Sequence, residues 1–225
     1  MEYAHVIHIA NSAAYTPHSN LVSLQQAITR LGMIEISNIA LATTMNSKLF
    51  KAPGYEKHIE DIWYHSLATA FWSKEIARTL RFNVEAAFLC GLLHSIGKVV
   101  ILQTVADFRS SNESIMDEYD LQQLFNQYES PVSEIVANQW GLPDIVSETM
   151  TYYKHFNSAP TAAETAATVL FGSQIADHMI DSENFPLDVL IQSPALELVN
   201  LYPDEVDELL NKTDVVKSGV RALSI

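Results

Sequence analysis

GLLHSIGK, residues 91–98, decides how this chain is read. It lies in the most apolar stretch of the sequence, residues 84–102, broken by His94, Ser95, Gly97 and Lys98. That stretch predicts one buried helix from about Val84 to Val105, in a soluble protein rather than across a membrane. His94 would then have apolar neighbours on nearly every side. A buried imidazole needs a partner for each nitrogen: a backbone carbonyl, a carboxylate or a metal.

Outward from that helix the periodicity is helical almost throughout. There are 7 glycines in 225 residues, and no alternating run is closed by Asn-Gly or Asp-Gly, so the fold is expected to be all-α. A first helix covers most of 2–13. A second starts at the N-cap Ser23, with Gln26 at the capping-box position, and stops near Gly32. A third runs from about 34 to 50 and ends at Ala52-Pro53-Gly54. A fourth covers 58–80. After the apolar helix, 107–120 reads as a polar surface loop. Ser130-Pro131 is expected to open a short helix ending near Gly141. Leu142-Pro143 opens another to about Phe156, the loop 157–160 follows, and a helix spans 161–180. DSENFP breaks it, and short helices finish the chain. A soft boundary at 51–57 divides a small N-terminal helical part, 1–54, from a helical core, 55–225.

Composition narrows the function. Lys and Arg total 13 against 27 Asp and Glu, a formal net charge of −14. Such a balance disfavours nucleic acid and anionic membranes, and favours basic protein partners. The single cysteine, Cys90, cannot form an internal disulfide and reads as a small core residue in a reducing compartment. The N-terminus lacks the basic-then-apolar pattern of a leader peptide, so a cytoplasmic location is expected.

Two further polar residues sit where apolar ones belong. On the 58–80 helix, His65 lies about 60° from Ile62, at the edge of the face made by Ile62, Trp63, Ser66, Leu67 and Ala70. On the 161–180 helix, Asp177 falls inside the stripe of Ala163, Ala166, Ala167, Leu170 and Phe171. A carboxylate there must be paired, metal-bound or in a wet pocket. A shared polar site with His94 and an ordinary hydrogen-bonded core are both open from patterning alone.

The motifs resemble those of HDOD domains, the signalling-associated branch of the HD metal-dependent phosphohydrolase superfamily. ANSAAY at 10–15, SLQQAITRLG at 23–32, IWYHS at 62–66, AAFLCGLLHSIGK at 86–98 and NQWGLPDIV at 138–146 follow in family order across roughly residues 4–210. The resemblance implies an HD-domain-like helical bundle. By position, His65, His94 and Asp177 match the superfamily's metal-holding histidines and late aspartate. Ser95 stands where the second residue of the His-Asp doublet would be. Tyr153-Lys154 occupies a place where many relatives show two histidines, with His155 one residue late, and only nine residues precede the Ala-Asn-Ser motif. Lys98 resembles a lysine of the catalytic family.

Ser95 carries the functional question. Two-metal hydrolysis needs anionic oxygens that bridge the ions, and a neutral hydroxyl is a poor substitute. The resemblance with this departure implies a non-catalytic regulatory module of bacterial signal transduction, acting through protein contacts. No cofactor is then expected. The alternative is a phosphohydrolase acting on a nucleotide or phosphate ester through a single divalent metal at His65, His94 and Asp177, with Arg78 and Arg81 as candidate phosphate ligands.

Overall fold

The structure is a computed structural model that describes residues 11, 23–46, 52–108 and 116–224. The helix expected over 2–13 lies outside the described residues. Twelve α-helices are found among those described: α1 Leu24–Leu31, α2 Met33–Asn46, α3 Glu56–Leu80, α4 Val84–Leu93, α5 Ile96–Phe108, α6 Glu118–Trp140, α7 Asp144–Tyr152, α8 Ala163–Ile180, α9 Leu187–Leu190, α10 Ala195–Val199, α11 Pro203–Leu210 and α12 Thr213–Leu223. A 3₁₀ segment, Tyr153–Ser158, joins α7 towards α8. No strand occurs among the described residues, and the all-α expectation holds.

Local chemistry explains most boundaries. The Ser23 hydroxyl accepts the Gln26 N–H at 3.2 Å, and Gly32 ends α1 at φ 87°. Asn83 and Asp117 cap α4 and α6 in the same way, each accepting an N–H three residues on at 2.9 Å. Gly141 closes α6 at φ 63°, a left-handed conformation that glycine adopts without strain.

Three expectations are corrected. The helix foreseen over 84–105 is two helices, α4 and α5, with a break at His94 and Ser95. The His94 ring takes the Gly91 carbonyl at 2.7 Å, the acceptor that a continuing helix would offer to the Ser95 N–H. The run from Val84 to Phe108 has the length and hydropathy to cross a membrane, but 67% of its window is buried inside the fold. Secondly, Pro131 does not open a helix but lies within α6. Its missing N–H strands the carbonyl of Gln127, an exposed residue that water can serve, so the helix passes through. Thirdly, the helix foreseen over 142–156 stops at Tyr152, because the backbone turns non-helical at His155 (φ −129°, ψ 49°).

The main core gathers the middle of α3, α4, α8 and α12 around Leu67, Trp72, Phe88 and Phe171, and Ala27, Ile36, Ile39 and Ala42 of α1 and α2 belong to the same cluster. A smaller cluster joins Ala52, Tyr55, Ile101, Leu102, Leu121 and Phe125. Two glycines set the spacing of the main one. A Cβ on Gly91 would lie 2.7 Å from the Ala70 Cα, and one on Gly172 would lie 2.5 Å from the Ser73 Oγ and 3.0 Å from the Ser73 nitrogen. α3 therefore meets both α4 and α8 at backbone distance, around the Thr69 carbonyl. Cys90 is fully buried, and burial pushes its thiol pKa up to about 12 against the smaller opposing effect of its Thr149 contact. It packs as an inert apolar group.

The start of α8 has no side-chain cap of its own. Glu148 of α7 supplies one, accepting the N–H groups of Thr161 and Ala162 at 2.7 and 2.8 Å and the Thr161 hydroxyl at 3.0 Å. Partial burial pushes the Glu148 pKa up, but these bonds push harder and leave it below its ordinary value. Such a carboxylate stabilises the fold above its unfolded pKa, and the contribution fades as pH falls through the folded value. Glu148→Ala should cost about 1–2 kcal/mol in urea unfolding at pH 7. The gap between parent and variant should close below about pH 4; a gap unchanged at pH 3 would contradict the capping role.

Candidate functional site

Three parts of the fold bring the sequence-derived residues together. His65 comes from α3, His94 and Ser95 from the α4–α5 junction, and Asp177 from the last turns of α8. The His65 and His94 ring centroids are 5.6 Å apart. His65 Nε2 lies 2.9 Å from Asp177 Oδ1, but off the N–H direction, so this solvent-shielded nitrogen has a close electrostatic contact and no aligned hydrogen bond.

His94 is satisfied on both sides. The Gly91 carbonyl can only accept, so Nδ1 carries the proton and donates to it at 2.7 Å. Nε2 then presents a lone pair, and the Ser95 hydroxyl donates to it at 2.8 Å. Burial pushes the His94 pKa well down. Electrostatic interactions with His65, Lys98 and Lys154 act in the same direction, against the bond to Gly91. The ring is neutral at pH 7, as this arrangement requires. The Tyr153 ring stands edge-on to it, centroids 5.0 Å apart.

Behind Tyr153 lies a residue that the sequence reading missed. Glu129 of α6 is 3% exposed. It accepts the Tyr153 hydroxyl at 3.2 Å and pairs with Lys154, while the Lys98 ammonium lies 3.9 Å away. Burial first, and then the Glu129 charge, push the Tyr153 pKa well up, so the phenol keeps its proton and donates. The signal was present: Leu121, Phe125 and Glu129 recur at four-residue spacing on one buried face. It was hidden by reading Pro131 as the start of a new helix. Lys98 is turned towards this carboxylate, and His155 is exposed.

The superfamily resemblance implies a metal here, and the donors do not make up its ligand set. Among the described residues no three His, Cys, Asp or Glu side chains gather so as to hold an ion. The nitrogen of His94 that would ligate is engaged by Ser95. Only His65 and Asp177 face each other as a two-donor pair. Position 153, where the resemblance implies a histidine, holds a phenol committed to Glu129. The candidate phosphate ligands lie elsewhere: Arg78 pairs with Glu75, which also takes Lys212 at 2.9 Å. Arg81 is the left-handed residue that ends α3, some 16 residues and about 24 Å along the helix from His65.

The HDOD domain family model matches residues 3–156. Three solved structures are similar over almost the whole chain. An HDOD domain protein with unknown function from Geobacter sulfurreducens is 22% identical with a TM-score of 0.77, covering 99% of this chain and 82% of that one. A protein from Shewanella amazonensis SB2B titled "Putative phosphohydrolase" is 22% identical with a TM-score of 0.71 and the same coverage. One from Marinobacter aquaeolei VT8 titled "Putative signal transduction protein" is 20% identical with a TM-score of 0.69, covering 99% of this chain and 52% of that one. At these identities the likeness concerns the fold. The chain spans 36% of the length of the curated relative it matches, at 17% identity. A helical fold shared with these structures, a polar cluster at the His94–Ser95 junction and a family match over residues 3–156 lead to one conclusion: the chain belongs to the HDOD domain family.

Proposed function

We propose that this chain is a non-catalytic signalling module that works through protein contacts, and that its His65, His94, Ser95 and Asp177 cluster is a structural polar core. The observation that carries this is the Ser95 hydroxyl donating to His94 Nε2. One neutral side chain removes the bridging carboxylate and also occupies the nitrogen beside it. The Lys98, Lys154 and Tyr153 contacts to Glu129 support the same view, since groups that could meet a phosphate are spent on an internal carboxylate. No resident cofactor is part of this reading. A reducing, cytoplasmic bacterial setting fits it, supported by a lone buried thiol.

The test is hydrolysis of nucleotides, cyclic dinucleotides and a generic phosphodiester by the purified chain with Mn²⁺ or Mg²⁺. No turnover above the protein-free rate is expected. Turnover that disappears in His94→Ala would overturn the proposal.

A second reading, a phosphohydrolase with one metal on His65, His94 and Asp177, draws on one observation. His65 Nε2 is shielded, without an aligned hydrogen bond, and 2.9 Å from a carboxylate oxygen. It requires His94 to release Ser95 and turn.

A further inference from the structure

From His155 to Asn211 the chain carries ten Asp and Glu and no Lys or Arg. Charge alone identifies nothing, because acidic faces are commonly just solvated. This stretch, however, also exposes Ile180 at 48%, Phe185 at 42% and Val189 at 54%, three apolar side chains within ten residues. They are held in place. The Asp181 N–H closes α8 on the Asp177 carbonyl at 2.8 Å, and His178 Nδ1 donates to the Phe185 carbonyl at 2.6 Å. The Phe185 N–H reaches the Asp181 carbonyl at 3.0 Å, and Asn184 donates twice to the Asp181 carboxylate at 3.2 and 2.7 Å. The Val189 N–H bonds the Pro186 carbonyl at 3.0 Å, and Ile191 follows at the end of α9. Glu183 and Asp188 lie between the apolar groups, Glu183 exposed and Asp188 exposed in turn at the start of α9.

We propose that the turn from Ile180 to Ile191 is a docking surface for a basic amphipathic helix of a partner protein. Its apolar side chains would seat on Ile180, Phe185 and Val189, and its Lys and Arg would meet Glu183 and Asp188. Charge complementarity selects this occupant. An anionic membrane would be repelled, and a second copy would set carboxylates against carboxylates. The apolar groups supply the burial that affinity needs, and the bonds that fix the turn lower the ordering cost of binding. The surface lies wholly after residue 156, where the match to the family model ends. It rests on the reading of the chain as a protein-contact module. A partner seated here would touch the last turn of α8, which carries Asp177.

The test titrates the intact chain with three fluorescent helical peptides of about 18 residues that share one Leu/Phe face. Their other face carries Lys and Arg, Ser and Gln, or Glu. The Lys/Arg peptide should bind at least about tenfold tighter than the Ser/Gln peptide and lose most of that margin between about 0.05 and 0.3 M salt. The Glu peptide should not bind. Val189→Asp and Phe185→Asp should each weaken the Lys/Arg peptide about tenfold, Asp188→Lys somewhat less, and Ile135→Asp on the exposed side of α6 not at all. The proposal is overturned if the Lys/Arg peptide binds no tighter than the Ser/Gln one, or if Val189→Asp and Ile135→Asp act alike. Vesicle binding abolished by Val189→Asp would assign the surface to a membrane, and a dimer abolished by it to a second copy; either overturns the proposal. Hydrolysis would sink the non-catalytic reading and leave the peptide result standing, whereas absent peptide binding leaves a negative hydrolysis assay standing.

Discussion

Ser95→Asp should melt well below the parent in the absence of metal. Position 95 is 1% exposed, and its hydroxyl is the donor that satisfies His94 Nε2. A carboxylate there can only accept, so two lone-pair groups would face each other in a site that water does not reach. The buried charge and the lost bond together should cost about 3–5 kcal/mol. In a chain of this size that is a drop of roughly 10–15 °C in Tm. The sign reverses on adding Mn²⁺. With the introduced carboxylate beside His94, and His65 against Asp177, the variant has two carboxylates and two imidazoles, and an ion that binds only the folded state raises its stability. The parent should show no such response, because its fourth donor is a hydroxyl already spent. Equal Mn²⁺ responses in parent and variant would show that Ser95 does not control the site.

Gly97→Ala should be comparably damaging for a different reason. A Cβ at 97 would overlap the Glu129 backbone carbonyl and come within 2.6 Å of the Ser133 Oγ. The obstacle is backbone, so no rotamer change relieves it, and α5 must move off α6. Overpacking of this kind should cost about 3 kcal/mol. The displaced Glu129 would also lose its grip on Tyr153, whose ring lies against His94. Thermal melts should show the loss, and near-ultraviolet circular dichroism should report the altered tyrosine environment. A variant as stable as the parent would mean that the α5–α6 contact is looser than described.

The fold class was legible because the periodicity is helical nearly everywhere, and the cap at Ser23 and the stop at Gly32 follow local rules. His94 and Asp177 could be singled out because a polar residue on an apolar face stands out in a single sequence. What the sequence hid was geometric. Whether His94 would meet a metal, a carboxylate or a backbone carbonyl depends on a side-chain bond to Gly91, made where the expected helix breaks in two. Glu129 was lost because proline was read as a beginning. A proline can lie mid-helix when the carbonyl it orphans belongs to an exposed residue, and exposure is not local information. The Glu148 cap on α8 joins residues 13 and 14 apart, beyond the reach of any capping pattern.

Gly91 and Gly172 give α3 a mechanical property. Where two helices are separated by long side chains, a small shift of one is absorbed by rotamer changes. At Ala70 and Ser73 there is no such padding, because backbone meets backbone within ordinary contact distance. There α3 has little room for a larger side chain between it and either α4 or α8. The contact contains no functional side chain, so it is indifferent to what stands at position 95. Packing of this kind depends on the small residues at 91 and 172 rather than on the polar cluster beside it.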